Sequence, residues 1–432
     1  MKINRVEILP GVSLNHLQST KFKTCCMSVS LLTQLTKETA SINALIPFVL
    51  RRGTRTYRTM ERLSNRFDEL YGTIIEPCVR KAGEIQSVGL YASFPEDCFL
   101  PEGAAVLKDA IDLVAEMLLD PATRGGLLLS QYVDSERDNL CDIIRSRINN
   151  KRSYSMTRCI EEMCCYEDFA VGRYGSVETC ETINYKKLTR QYHDLIQTCP
   201  VEIFICSRES TDNLVSLLKR AFCTMPRGEI NYDIGTDIRM NSIQPEPRVY
   251  EETMDVTQGQ LVLGYRLGEC MEDLDLPAVL VFNAVFGSGV TSKLFMNVRE
   301  KLSLCYYSYS TIERCKGLMF VLSGIDFEKY DEAKAEILHQ LEEVMQGNIS
   351  DDELSWAKAG VASDLSALTD NQHDLEAFFS RAIVEGASYQ PDELSCLVGD
   401  VTKEDVIRIA KSVELDMIYF LKGAEEPDDD ED

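Results

Sequence analysis

Residues Phe286–Ser310, FGSGVTSKLFMNVREKLSLCYYSYS, hold the densest set of groups that could do chemistry. Gly287 and Gly289 precede Lys293, and backbone amides beside a lysine are the parts of a phosphate cradle. The spacing does not fit one. A phosphate loop runs GxxxxGK[ST] after a parallel strand and a dinucleotide loop runs GxGxxG, and neither pattern is met. FGSG therefore reads as a tight turn. Thr291 or Ser292 can cap a helix behind it, with Leu294, Phe295, Val298 and Leu302 on one face. Cys305–Ser310 is rich in Tyr and reads as a strand. Arg299 then lies in the last turn of the helix, and Tyr306 begins the strand seven positions later. Other chemistry is sparse. The four histidines (His16, His193, His339 and His373) are never within a helical turn of one another, and each reads as a surface or capping residue. No Ser or Cys stands near a His in a nucleophile motif.

The elements that must position these groups occur twice. In the first half a strand at 20–36 precedes helices at 41–52 and 60–71. Strands at 73–80 and 85–94 and a helix at 103–119 follow, then a long helical region at 127–165. A helix at 185–197, a strand at 201–206 and a helix at 213–222 close this half. Residues 225–248 collect Pro226, Gly228, Gly235, Pro245 and Pro247 and read as a linker. In the second half strands at 250–267 precede helices at 276–286 and 292–301. Strands at 305–315 and 317–325, long helices at 330–346 and 351–386, a helix at 403–413 and a strand at 416–421 follow. The order strand, helices, hairpin, long helices, strand recurs at a period of about 220 residues. The expected fold is α+β: two topologically similar domains, each an antiparallel sheet with helices packed on one face. The expected divisions are a domain at 1–224, the linker at 225–248, a domain at 249–422 and an acidic, disordered tail at 423–432.

The net charge is −25, of which seven acids lie in the tail. An acidic body argues against nucleic acid as a partner, since phosphate needs Lys and Arg. No apolar run reaches membrane-spanning length, and the start, MKINRVEILPG, has no apolar signal core. The 16 cysteines are scattered without a CxxC, as expected of reduced, mostly buried thiols in the cytoplasm.

GSGVTSKLFMNVREKLSLCYYSYS resembles the C-terminal-half signature of the M16 (pitrilysin/insulinase-like) zinc peptidases, whose members often read G-G-x-S-S-R-L-F, then R-E-K, then L-A-Y, then a strand. In that family the Arg of R-E-K and the Tyr seven positions on reach towards the zinc-bound substrate and help hold the scissile carbonyl oxygen. The matching residues are Arg299 and Tyr306, and a guanidinium and a phenol are donors suited to a developing oxyanion. The duplicated organisation is also the family's, so the resemblance spans nearly the whole chain. The family's N-terminal half carries His-x-x-Glu-His on a helix, five residues ahead of a Gly-Thr. The matching run here is SINALIPFVLRRGT. Counting back from Gly53 puts Ala44 and Phe48 at the histidine positions and Pro47 at the glutamate. The family's third ligand, a Glu on a later helix, corresponds to SERDNLCDIIRS, which offers Glu136 and Asp142. No zinc site is expected on this chain.

Some small bacterial members of the family work as pairs, one partner with the zinc motif and the other with the Arg/Tyr pair. The resemblance therefore implies a non-catalytic subunit of a heterodimeric M16-type peptidase. The zinc would sit on a zinc-motif-bearing M16 homologue. The two chains would enclose a chamber in which an extended peptide substrate adds a strand to a sheet edge. The alternative is a non-proteolytic structural or interaction subunit with the same fold.

Overall fold

The computed structural model describes residues 3–268, 275–387 and 389–424. The chain forms two compact units that do not follow its halves. One comprises Met1–Ser146, Val171–Thr236 and Leu368–Gln390; the other comprises Arg147–Ala170, Asp237–Ala367 and Pro391–Asp432. Each unit thus takes most of one half and a segment of the other.

The strands of the first unit are β1 (Ile3–Leu9), β2 (Val12–Gln18), β3 (Thr24–Gln34), β4 (Ile74–Ala82), β5 (Ile85–Pro95), the two-residue pair β6 (Thr123–Arg124) and β7 (Leu127–Leu128), and β8 (Val201–Ser207). The main sheet has the order β1-β2-β8-β3-β5-β4, and only β2–β8 is parallel in it. The β1–β2 hairpin was not foreseen. Its signal was there: two alternating runs around Pro10-Gly11, with Gly11 at φ +67°. On one sheet face the helix Ala40–Leu50 and its neighbours bury Ala44, Leu45 and Val49 against Leu31, Val88 and Leu90. On the other face lies the helix Gln372–Glu385, where Leu375 and Phe379 meet Leu17, Cys26, Phe204 and Cys206. Glu376 of that helix receives both Arg80 amino groups, at 2.7 and 2.5 Å, and the Ser28 hydroxyl at 2.6 Å. Burial alone would raise the Glu376 pKa; Arg80 outweighs it and holds the carboxyl below its usual range.

The second unit has β9 (Arg248–Met254), β10 (Gly259–Arg266), β11 (Cys305–Glu313), β12 (Leu318–Ile325) and β13 (Glu414–Gly423). Their order is β11-β12-β10-β13-β9, with only β13–β9 parallel. Every residue of β10 and β12 is buried, so both sheet faces are covered. The helix Lys151–Met163 supplies one cover, with Cys159 and Met163 against Val262, Phe320, Leu322 and Tyr419. Just beyond it, Glu167 binds buried Arg266 at 2.7 Å and buried Lys316 at 2.7 Å.

From either unit's sheet the same pattern reads: β4-β5-β3-β8-β2 matches β11-β12-β10-β13-β9, parallel pair included, with β1 extra. This is the expected pair of topologically similar α+β domains. Two refinements apply. The sheets are mixed rather than wholly antiparallel, and helices cover both faces rather than one. The second cover is in each case a helix from the opposite half of the chain. The helical regions expected as continuous break at those transfers. Residues 127–165 form Ser130–Arg145 and Lys151–Met163, and 351–386 form Asp351–Leu368 and Gln372–Glu385. Each new helix starts at an Asn cap, Asn150 accepting from the Ser153 amide and Asn371 from His373. A further helix, Pro391–Asp400, was also missed.

Residues 223–247 carry no helix or strand, and β9 starts at Arg248. Of the expected tail, Gly423 ends β13 and the Ala424 amide bonds the Met254 carbonyl; residues 425–432 lie outside the described residues.

Candidate functional site

The stretch from Phe286 onward is built around two helical segments wider than an α-helix, Ala284–Ser288 and Leu294–Lys301. In the second, the Leu302 amide reaches back five residues to the Asn297 carbonyl at 3.1 Å. Such π-type winding is uncommon and recurs at functional sites, because it turns side chains off the ordinary helical register. Leu294 and Val298 are buried and hold the segment down. Gly287 allows the first segment to lie on β11: a Cβ there would collide with Ser310 and Leu294. Ser310 in turn donates to Asn283 Oδ1 at 2.6 Å.

Arg299 is on this wide helix with its side chain 42% exposed. Its guanidinium lies 4.7 Å from the Phe295 ring centre, with Nε 3.6 Å from Glu300. The chain then turns through Ser303, a non-glycine residue at φ +51°, and enters β11. There the ladder slips. Cys305 faces Ile325 and Tyr307 faces Gly324, so Tyr306 is an extra residue on the β11 side. This bulge throws the Tyr306 side chain off the sheet, 61% exposed. Its phenol donates to Asp326 Oδ1 at 2.9 Å, and that carboxylate raises the Tyr306 pKa. Tyr307, by contrast, turns inward under Arg152, which stacks 3.7 Å from its ring. Among the described residues no hydrogen bond joins Arg299 to Tyr306. They share one surface element, but each keeps its own partner. β11 is the edge strand of its sheet, and no strand pairs with its outer side among the described residues.

Asp326 was missed from sequence. The signal that could have found it is the hairpin register: β11 and β12 pair antiparallel, which sets the residue after Ile325 beside Tyr306.

The positions that match the family's zinc motif hold packing side chains. Ala44 is fully buried in the core and Pro47 is buried within its helix. Phe48 meets Tyr174 edge-on at 6.4 Å. Glu136 receives the Arg52 guanidinium at 2.8 Å and the Asn139 amide at 3.3 Å, while Arg52 covers the Tyr132 ring at 5.2 Å. Asp142 is 78% exposed and pairs with Arg145. The side chains at 44, 47 and 48 carry no donor atom for a metal, and the one nearby buried carboxylate is engaged by an arginine, so these residues do not fit zinc. Among the described residues no group of three or more His, Cys, Asp or Glu is placed to hold a metal ion. His16, expected at the surface or as a cap, is instead buried, with Nδ1 2.9 Å from Thr211 and its pKa lowered by burial.

Comparison with known proteins agrees with this picture. A family model described as "Peptidase M16 inactive domain" matches residues 182–361. The chain is 32% identical over 417 residues to a Bacillus subtilis (strain 168) protein named "Probable inactive metalloprotease YmfF", covering 96% of each. The chain belongs to the M16 peptidase family. Among solved structures, a conserved protein from Enterococcus faecalis V583 aligns with a TM-score of 0.88 at 27% identity, covering 99% of this chain and 100% of that one. A protease from Helicobacter pylori aligns with a TM-score of 0.80 at 15% identity, over 98% and 99%; at that identity the likeness shows the fold alone. No helix among the described residues is long and apolar enough to cross a membrane.

Proposed function

We propose that this M16 chain is inactive alone and acts as the Arg/Tyr-providing subunit of a heterodimeric zinc peptidase. Its partner is a homologue bearing His-x-x-Glu-His and the zinc, and its substrate is a peptide. The observation that carries this reading is the state of Tyr306. A bulge holds a large aromatic side chain out in solvent with its hydroxyl already bonded, which stabilises no core of this chain. Arg299 is likewise exposed, on a wide helix. The pair's chemistry suits an oxyanion forming on a substrate held by another chain. The open side of β11 offers the backbone groups an extended peptide would pair with. We place the chain in the cytoplasm, in keeping with the free cysteines among the described residues.

The test is to purify the chain together with a zinc-motif-bearing homologue and follow peptide cleavage. Cleavage is expected only from the pair, and only with zinc. A stable complex that cleaves nothing the homologue alone does not cleave would favour the second reading, a structural subunit. The filled positions Ala44, Pro47 and Phe48 are what favour considering it.

A further inference from the structure

The first unit contains a cavity of 330 Å³ that the peptidase reading does not use. It lies between the outer sheet face and the C-terminal half of the Gln372–Glu385 helix. Under the N-terminal half of that helix the contact is apolar, as a helix-covered sheet should be. Under the C-terminal half the strands turn polar. Ser30 on β3 faces Glu202 on β8, and Arg80 on β4 faces Ser87 on β5. Apolar side chains remain on both walls, Ile383 and Val384 on the helix and Ile85 on β5.

The charge is unbalanced towards the positive. Arg80, Lys81, Arg173 and Arg381 line the cavity in a chain whose net charge is −25. Its lining acid Glu202 is matched to Arg5 at 2.5 Å and to Asn15 at 2.7 Å, and the neighbouring Glu376 and Glu385 pair with Arg80 at 2.5 Å and Arg381 at 2.9 Å. Arg173 has no carboxylate partner among the described residues. It is not loosely held, however. Its loop is tied to the sheet at both ends, by Lys81 Nζ to the Val171 carbonyl at 3.0 Å and by Gln86 Nε2 to the Arg173 carbonyl at 2.7 Å. Its guanidinium lies 4.8 Å from the Tyr174 ring centre.

We infer that this cavity binds a small molecule with one carboxylate head and a short apolar body, the head on Arg173 and the body against Ile383 and Val384. The size fits: ligand sites span roughly 300–1,000 Å³, so this one takes a small ligand. The charge also selects. Four cations and the Glu202 carboxylate line the cavity, the carboxylates of Glu376 and Glu385 engage Arg80 and Arg381 from outside the lining, and the helix adds about half a negative charge at its C-terminal end. That suits a monoanion better than a phosphate dianion, which would also find no helix N-terminus here.

The experiment uses the full chain, calorimetric titration and thermal unfolding. The probes are 4-methylpentanoate, its neutral amide 4-methylpentanamide, and inorganic phosphate. The acid should bind and raise the melting temperature, while the amide and phosphate should bind at least about tenfold more weakly. Arg173→Gln, at an exposed position, should weaken the acid about tenfold without lowering the melting temperature of the free chain. Ala377→Phe should abolish binding by filling the cavity. If Ala377→Phe does not fold, Arg173→Gln decides. Equal binding of acid and amide, binding of phosphate as tight as the acid, an unchanged affinity in Arg173→Gln, or no binding of the acid would each overturn the assignment.

Discussion

The helix Ala40–Leu50 and the segment Leu294–Glu313 stand at the two places where an M16 chain is expected to do chemistry, and they have gone opposite ways. In the first, side chains that would carry metal ligands are small, cyclic or aromatic and take part in the core. In the second, Arg299 and Tyr306 remain polar and exposed, on a widened helix and a bulge. A position freed from chemistry is taken over by packing, because burial of apolar surface is the default gain. A position that keeps an exposed aromatic on an irregular backbone bears a cost that packing does not return. On the proposed function, the difference separates what this chain has given up from what it keeps.

That contrast predicts unequal costs for equivalent changes. Ala44→His forces a larger, polar side chain into a fully buried site and should cost about 1–3 kcal/mol in denaturant unfolding. Tyr306→Ala should cost less than about 0.5 kcal/mol. Similar values for the two would break the comparison. Next in size is the ion pair that occupies the old ligand region. Arg52 and Glu136 are 27% and 10% exposed, so solvent screens them in part. Arg52→Met should cost about 1 kcal/mol, and a double-mutant cycle with Glu136→Gln should show coupling between them. Additive effects would mean the carboxylate is not engaged in solution and could still serve as a ligand.

The smallest expected effect concerns Tyr306 itself. Its hydrogen bond to Asp326 raises its pKa above the usual 10.0. The folded chain therefore holds the phenol proton more tightly than the unfolded chain does. The contribution to stability is present below the ordinary tyrosine value and lost as pH rises through the raised one. A phenolic donor kept protonated in this way stays available at alkaline pH. Asp326→Asn should bring the Tyr306 titration down towards 10, read by NMR or ultraviolet absorbance. An unchanged titration would mean that Asp326 does not hold the phenol.

Much of this organisation was legible in the chain. Periodicity located most helices, and the repeated order of elements revealed the duplication, since each domain must build its own sheet. The resemblance of the stretch after the glycine turn to the M16 signature singled out Arg299 and Tyr306. What was not legible is non-local. The Asn150 and Asn371 caps mark helix starts, but nothing local says that those helices cross to the other unit. Their destination is set by contacts such as Glu376 with Arg80, nearly three hundred residues away in sequence. The two parallel strand pairs, β2–β8 and β9–β13, depend in the same way on which distant strands meet. The widened helix and the bulge at Tyr306 depend on register against β12, which a single strand does not encode. Asp326 was missed for the same reason.

The central claim is that the exposed pair serves a partner's active site. The direct measurement is peptide turnover by the zinc-bearing homologue mixed with wild-type, Arg299→Ala or Tyr306→Phe chain, with complex formation and zinc content measured alongside. Each variant should fold and bind the partner normally, leave its zinc unchanged and lower turnover by on the order of 10²-fold, the usual loss for one oxyanion donor. Wild-type turnover from both variants in an intact complex would contradict the account.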